Sequence, residues 1–257
     1  MSAAAGPSFG LDGRAALITG ASRGIGRAIA IGLAGQGARI LLHYHQDRAA
    51  AERVAEVIAG NGGKSVLLQA DLGAEDAGAK LAEAAFAISP LDILVINAAI
   101  QERRPLERVD RPLFARHVDT NVWSALQLLQ AVLPSMAERG WGRILGVGSV
   151  QQWRPNPNLL VYAGLKSALS TMLRSLAKVY AARGVTINTL APGLIDTDRS
   201  ADLKQDPALY QSILDRIPMG AAGEAEDCVG AALLLCSNAG RYITGVDLLV
   251  DGGMHMP

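Results

Sequence analysis

Tyr162 and Lys166 stand four residues apart in a stretch whose apolar positions Leu165, Leu169, Met172 and Leu176 recur at helical spacing. Phenol and ammonium therefore share one helix face. A cation beside a phenol favours the phenolate and lowers a pKa that is ordinarily about 10. Such a phenol can act as general acid or base near neutrality. A Tyr-xxx-Lys match alone is common on helix surfaces. Here Ser149, at the end of the preceding apolar run, can place a hydroxyl beside the phenol, and Asn121, at the start of an earlier helical stretch, adds an amide.

A second cluster, Thr19-Gly20-Ala21-Ser22-Arg23-Gly24-Ile25-Gly26, follows the first apolar run and opens a helical pattern. Glycines let a backbone approach a pyrophosphate closely, and the amides of a helix N-terminus supply donors. The spacing is G-xxx-G-x-G, not the commoner G-x-G-xx-G. In a chain with 28 glycines a cluster by itself marks only a turn. Its place between a first strand and a first helix is what gives the phosphate reading.

The elements that must position these groups are legible as near-continuous apolar runs at Ala15–Thr19, Ala38–His43, Ser65–Ala70, Ile93–Asn97, Arg143–Gly148, Val185–Leu190 and Val246–Val250. Apolar residues on both faces of a strand suit a parallel sheet covered on each side. Helical patterns lie between them, with Ile25, Ile29 and Leu33 at steps of four, and Val122, Leu126, Leu129, Leu133 and Met136 at steps of four and three. Alternation of this kind predicts an α/β doubly wound sheet of about seven parallel strands with helices on both faces. The expected organisation is a loose tail over residues 1–10 and one domain over 11–257. The long polar stretch Ile195–Gly223 falls outside the alternation and reads as an insertion over the site.

Lys and Arg number 24 against 24 Asp and Glu. That balance argues against a nucleic-acid binder and against an acidic disordered chain. The longest apolar run, Cys228 to Cys236, has nine residues, short of a membrane helix, and no basic segment precedes an apolar one at the N-terminus. The two cysteines, eight apart in one helical stretch, read as reduced core residues, and the expected location is the cytoplasm.

Together these residues resemble the short-chain dehydrogenase/reductase family in its single-domain branch, over about Leu11 to Met254. The resemblance rests on the glycine-rich turn at 19–26, Asp71 after the third strand, Asn97-Ala98-Ala99 after the fourth, Asn121, Ser149, Tyr162-Ala163-Gly164-Leu165-Lys166 and Pro192-Gly193-Leu194-Ile195-Asp196-Thr197. The gaps of 28 residues from Asn121 to Ser149 and 13 from Ser149 to Tyr162 also agree with it. The family pattern departs at Ile96 and Ala99, where it usually has Asn and Gly. Ile96 cannot brace the sheet centre by a polar contact, and Ala99 narrows the approach to the nicotinamide ribose.

The resemblance implies hydride transfer between a nicotinamide dinucleotide and a carbonyl or alcohol carbon. Tyr162 would protonate the developing alkoxide, Ser149 would hydrogen-bond the same oxygen, Lys166 would hold the nicotinamide ribose, and Asn121 would position a water that relays protons to Lys166. Cofactor contacts would come from Gly20, Ser22, Arg23, Gly24, Ile25 and Gly26 in the turn, and from Tyr44, Asp71, Leu72, Asn97 and Ala98 around the adenosine. Pro192, Gly193, Ile195 and Thr197 would serve the nicotinamide end. NADP(H) is expected over NAD(H), because Tyr44 stands where NAD-selective members carry an acid. Arg23 can also meet a 2′-phosphate.

The expected substrate is a small carbonyl or alcohol, reduced as by members of the family that act on 3-oxoacyl-[acyl-carrier-protein]. The runner-up is a sugar or polyol, favoured by the polar loop from Gln151 to Asn158. A non-catalytic cofactor-binding regulator is the alternative of a different class, against which the intact Asn–Ser–Tyr–Lys set argues. Gln151 is a substrate-contact candidate with Ser149 and Tyr162. Arg103, Arg104, Arg108, Arg111 and Arg116, interspersed with acids, read first as a solvated face and second as a dock for an acyl carrier protein. No metal is expected, since His43 and His45 have no third ligand beside them. Related enzymes pair through the helices read here as 122–138 and 160–183, so a homotetramer is implied.

Overall fold

The apolar runs at the sheet centre form strands because each buries both faces. β1 (Ala15–Ile18), β4 (Ile93–Ile96) and β5 (Gly142–Val147) are buried at every position. The computed structural model describes residues 8–256. The remaining strands of the central sheet are β2 (Arg39–Tyr44), β3 (Lys64–Gln69), β6 (Val185–Pro192) and β9 (Asp247–Val250). All seven are parallel, in the order β3-β2-β1-β4-β5-β6-β9.

The chain begins at the sheet centre, winds outward to β3, and returns to β4 on the other side of β1. That reversal opens a crevice at the carboxyl ends of β1 and β4, the place where doubly wound sheets hold ligands. Alternating side chains divide the core into two layers. Helices α1 (Gly24–Gly35), α2 (Arg48–Gly60) and α9 (Asp227–Cys236) pack against Ala16 and Ile18 on one face. Helices α3 (Ala77–Phe86), α5 (Ser124–Glu138) and α6 (Leu160–Tyr180) pack against Ala15 and Leu17 on the other. Cys228 and Cys236 are free and buried, and burial pushes both thiols up to about 12. Among the described residues no helix is long and apolar enough to cross a membrane.

Two regions differ from the sequence pattern. The arginine-bearing stretch holds a 3-10 turn at Leu106–Arg108 and becomes α-helical only in α4 (Arg111–Val118), which runs into α5 through a π turn at Asp119–Trp123, where the Ser124 N–H donates to Asp119 O. The stretch 195–223 carries structure of its own. It holds β7 (Ile195–Asp196), the short helices α7 (Ala201–Lys204) and α8 (Pro207–Leu214), and then pairs β7 in parallel with β8 (Gly223–Glu224). Asp206 caps α8 by accepting from the Leu209 N–H, with Pro207 at the first helical position.

Candidate active site

A cleft of about 770 Å³ opens at the carboxyl ends of the central strands. Ser149 reaches it from the turn after β5, and Tyr162 and Lys166 from the first turns of α6. Lys166 Nζ donates to Val147 O at 2.5 Å and lies 5.6 Å from the centroid of the Tyr162 ring. Ser149 begins a short 3-10 turn. Its Oγ accepts from the Gln151 N–H at 3.2 Å, while its own N–H donates to Gln152 Oε1 at 2.9 Å. The reciprocal cap fixes the serine backbone where the chain leaves the sheet.

The glycine turn forms the other end. Gly20 and Gly24 have φ of +64° and +53°, a region that L side chains avoid. A Cβ at Gly26 would lie 2.3 Å from Gly20 O and 2.5 Å from Asn97 Nδ2, so only glycine fits there. No side chain caps the N-terminus of α1, and its first turn carries no acid. Amides left uncapped in front of a glycine cradle fit the pyrophosphate of a dinucleotide. Ser22, Arg23 and Ile25 line the same end, as do Asp71, Leu72, Asn97 and Ala98. Pro192, Gly193, Ile195 and Thr197 border the cleft from the far side, with the Thr197 methyl 3.4 Å from where a Gly24 Cβ would stand.

A family model described as enoyl-(acyl carrier protein) reductase matches residues 20–255. The 3-oxoacyl-[acyl-carrier-protein] reductase of Pseudomonas aeruginosa is 36% identical over 96% of this chain and 99% of its own. The chain belongs to the short-chain dehydrogenase/reductase family. Its fold matches that of a 3-oxoacyl (acyl-carrier-protein) reductase from Agrobacterium tumefaciens C58 with NADP bound, at a TM-score of 0.91 and 43% identity over 95% of each chain. A gluconate 5-dehydrogenase from Burkholderia cenocepacia J2315, in complex with NADP and tartrate, gives a TM-score of 0.91 at 32% identity over 98% of each. This short-chain dehydrogenase/reductase is accordingly an oxidoreductase acting on alcohol or carbonyl groups.

Two expected contacts are not brought to the cleft of this dehydrogenase/reductase. Tyr44 is 4% exposed and sits in the apolar layer with Ala51 and Val54, its phenol meeting Arg48. Strand alternation is the reason: β2 turns Tyr44 toward α2, and the flanking His43 and His45 face the cleft. Asn121 is 3% exposed, and both ends of its amide are spent on Ile100. Its Nδ2 donates to Ile100 O at 2.9 Å and its Oδ1 accepts from the Ile100 N–H at 2.8 Å. The neighbouring Thr120 borders the cleft instead. Of the two departures from the family pattern, Ile96 is buried in an apolar layer and Ala99 lines the cleft.

Several bracing residues escape sequence reasoning. Thr19 Oγ1 accepts from the N–H groups of Asn97 and Ala98 at 2.9 and 3.0 Å, and Asn97 Nδ2 donates to the carbonyls of Thr19 and Gly20, each at 2.9 Å. His43 is 2% exposed. Its Nδ1 accepts from the Gly20 N–H at 3.0 Å, so the proton sits on Nε2, which donates to Ala70 O at 3.1 Å. One neutral imidazole thus ties the glycine turn to the end of β3, and burial lowers its pKa to about 4. Buried His117 does the same for the opposite loop, with Nδ1–H donating to Leu113 O at 2.9 Å and Nε2 accepting from the Glu102 N–H at 3.3 Å. Only an H-x-H at a strand end hinted at the first of these, and nothing hinted at the second.

Proposed function

We propose that this enzyme moves a hydride between NADP(H) and a carbonyl or secondary-alcohol carbon, with Tyr162 as general acid in reduction and general base in oxidation. The observation that carries the reading is the meeting of Ser149, Tyr162 and Lys166 in one cleft whose other end is an uncapped glycine cradle. The nicotinamide, when bound, supplies the hydride. The chain supplies position and protons. A carbonyl or alkoxide oxygen can only accept, so toward it the Ser149 hydroxyl donates, while its oxygen accepts from the Gln151 N–H. Lys166, anchored on Val147 O, holds the ribose hydroxyls, and its charge stabilises the phenolate. Asn121 works at one remove, by fixing the Ile100 backbone beside the cleft.

NADP(H) is preferred over NAD(H) because the end of β2 offers His43, Tyr44 and His45 in place of an acid, while Arg23 borders the adenosine end with its side chain 75% exposed. The stretch 195–223 covers the substrate, and the whole of 11–257 works as one domain. Two substrate classes fit. The names of the relatives favour a 3-oxoacyl thioester on an acyl carrier protein, with Arg103, Arg108 and Arg111 as docking charges, since Arg104 and Arg116 are already paired with Glu102. The polar loop with Gln151 and Asn156 on the cleft, and the likeness to a gluconate 5-dehydrogenase, favour a sugar or polyol derivative. Exposed Trp123, Met172 and Val179 on and beside α5 and α6 suit pairing of subunits there. Free buried thiols suit the reducing cytoplasm.

The test is Tyr162→Phe, which keeps the packed ring and removes the acid. Turnover is expected to fall by about 10²–10⁴-fold while NADPH still binds. More than a tenth of wild-type kcat in folded protein would remove Tyr162 from its role. On an accepted substrate, kcat/KM with NADPH is expected to exceed that with NADH by about tenfold, and Arg23→Ala is expected to erase the difference.

A further inference from the structure

Three arginines border the cleft, each from a segment other than the glycine turn. Arg103 comes from the stretch after β4, Arg154 from the loop between Ser149 and Tyr162, and Arg216 from the chain just past α8. These segments are tied to one another. The Arg104 N–H donates to Asn158 O at 2.8 Å, which seats the Arg103 stretch against the Arg154 loop. Arg154 Nη1 donates to Met256 O, and the Met219 N–H donates to Gly252 O at 3.2 Å, so the loop and the Arg216 segment meet at one C-terminal turn.

Among the described residues no carboxylate lies within ion-pair distance of any of the three. The nearby Glu102 is taken by Arg116 at 2.8 Å and Arg104 at 3.4 Å. The carboxylates that border the cleft, Asp71 and Asp198, stand at the cofactor end, 3.6 Å from His45 and 3.7 Å from Arg23. The C-terminal Asp251 is held by His255 at 2.8 Å. The cleft is therefore lined by three guanidinium groups, with no carboxylate partner among the described residues, from segments tied to one another, and the amides of Gln151 and Asn156 line it too. Guanidinium is suited to bidentate bonds with a carboxylate, and like charges gathered at a cleft draw an anion in.

We propose that these arginines form an anion subsite, and that the substrate is a small hydroxy or oxo acid. The arginines hold its free carboxylate while its carbinol or carbonyl carbon faces Tyr162. This rests on the oxidoreductase reading above and specifies its substrate class. In oxidation the carbon loses a hydride to NADP⁺ and the hydroxyl loses its proton to Tyr162; reduction is the reverse. The phosphate of a pantetheine thioester shares the anion chemistry, and the experiment separates the two.

NADP⁺-dependent oxidation of D-gluconate is compared with that of D-glucitol, which has the same six-carbon chain and a neutral end. NADPH-dependent reduction of acetoacetyl-pantetheine phosphate and of simple neutral ketones runs beside them. The acid is expected to exceed the polyol in kcat/KM by at least about tenfold, the scale of one charge-assisted contact, and to lose that advantage as salt is raised. Calorimetric binding of tartrate to the NADP⁺ complex gives a readout free of turnover. Arg103→Gln with Arg216→Gln is expected to bring the acid-to-polyol ratio toward one and to weaken tartrate at least tenfold. Adding Arg154→Gln extends the loss, and the double variant leaves the Arg154 link to the C-terminal turn in place if the triple fails to fold. A ratio near one in the wild type, tartrate binding that the double variant leaves unchanged, or a thioester preferred tenfold over the acid would each overturn the proposal. Reduction of neutral ketones in those cases would leave the oxidoreductase reading standing, whereas no turnover of any pair would end both.

Discussion

On the cofactor side of the cleft, the buried side chains of Thr19 and His43, with Asn97, are bonded to backbone groups just past the ends of β1, β3 and β4 and in the glycine turn. On the opposite side, the segment 195–216 meets the turn through Arg23 and Asp198, two side chains about three-quarters exposed, and holds itself by a half-exposed Lys204–Asp196 pair at 2.6 Å. Buried bonds to backbone cost a full desolvation penalty when broken, whereas exposed ion pairs contribute roughly 0–1 kcal/mol. By that contrast the first wall is the more firmly braced mould, and the second is the proposed cover. That division suits an enzyme whose cofactor contact is constant while its substrate must enter and leave.

The sharpest way to break the mould is Gly26→Ala. The added Cβ meets Gly20 O and Asn97 Nδ2, neither of which can retreat without opening the Asn97 bonds. NADPH quenching of intrinsic fluorescence is expected to weaken by at least about tenfold, with a stability loss of about 1–3 kcal/mol for an overpacked site. A wild-type dissociation constant would mean that the turn yields as easily as the cover.

The next effect is pH-dependent. His43 has a folded-state pKa of about 4 against an ordinary 6.5, so the unfolded chain binds its proton first as pH falls. Its stabilising neutral form is fully in force above pH 6.5, and the benefit drains between 6.5 and 4, by about 3 kcal/mol in all. Urea denaturation of the wild type at pH 7 and pH 5 is expected to reveal a fall of about 2 kcal/mol from this group that His43→Gln lacks. Equal pH dependence in the two proteins would detach the imidazole from the brace. The variant is also expected to raise KM for NADPH with little change in kcat, as befits a residue that positions the turn.

The smallest effect is expected on the cover. Asp198→Ala should shift the denaturation midpoint hardly at all, and tighten NADPH by less than about threefold, because Arg23 no longer divides its charge between Asp198 and the 2′-phosphate. A loss of stability on the scale of Gly26→Ala would erase the contrast between the two walls.

Runs of apolar residues on both strand faces and short joints were enough to read the seven-stranded parallel sheet, to within two residues at each strand end, because burial from both sides leaves a pattern any stretch of chain displays locally. The glycine turn and the Tyr162–Lys166 pair were legible for the same reason, their geometry being set by neighbours in sequence. Tyr44 and Asn121 were not. Their roles depend on which way a strand faces at its last residue and on which distant backbone, that of Ile100, absorbs an amide. His43 and His117 became braces only through partners 23 and 15 residues away at Gly20 and Glu102. Likewise, three arginines scattered over positions 103, 154 and 216 line one cleft only because their separate loops are tied to one another. Local periodicity determines the elements, and the long-range meeting of loops, which no single segment encodes, decided what the cleft holds.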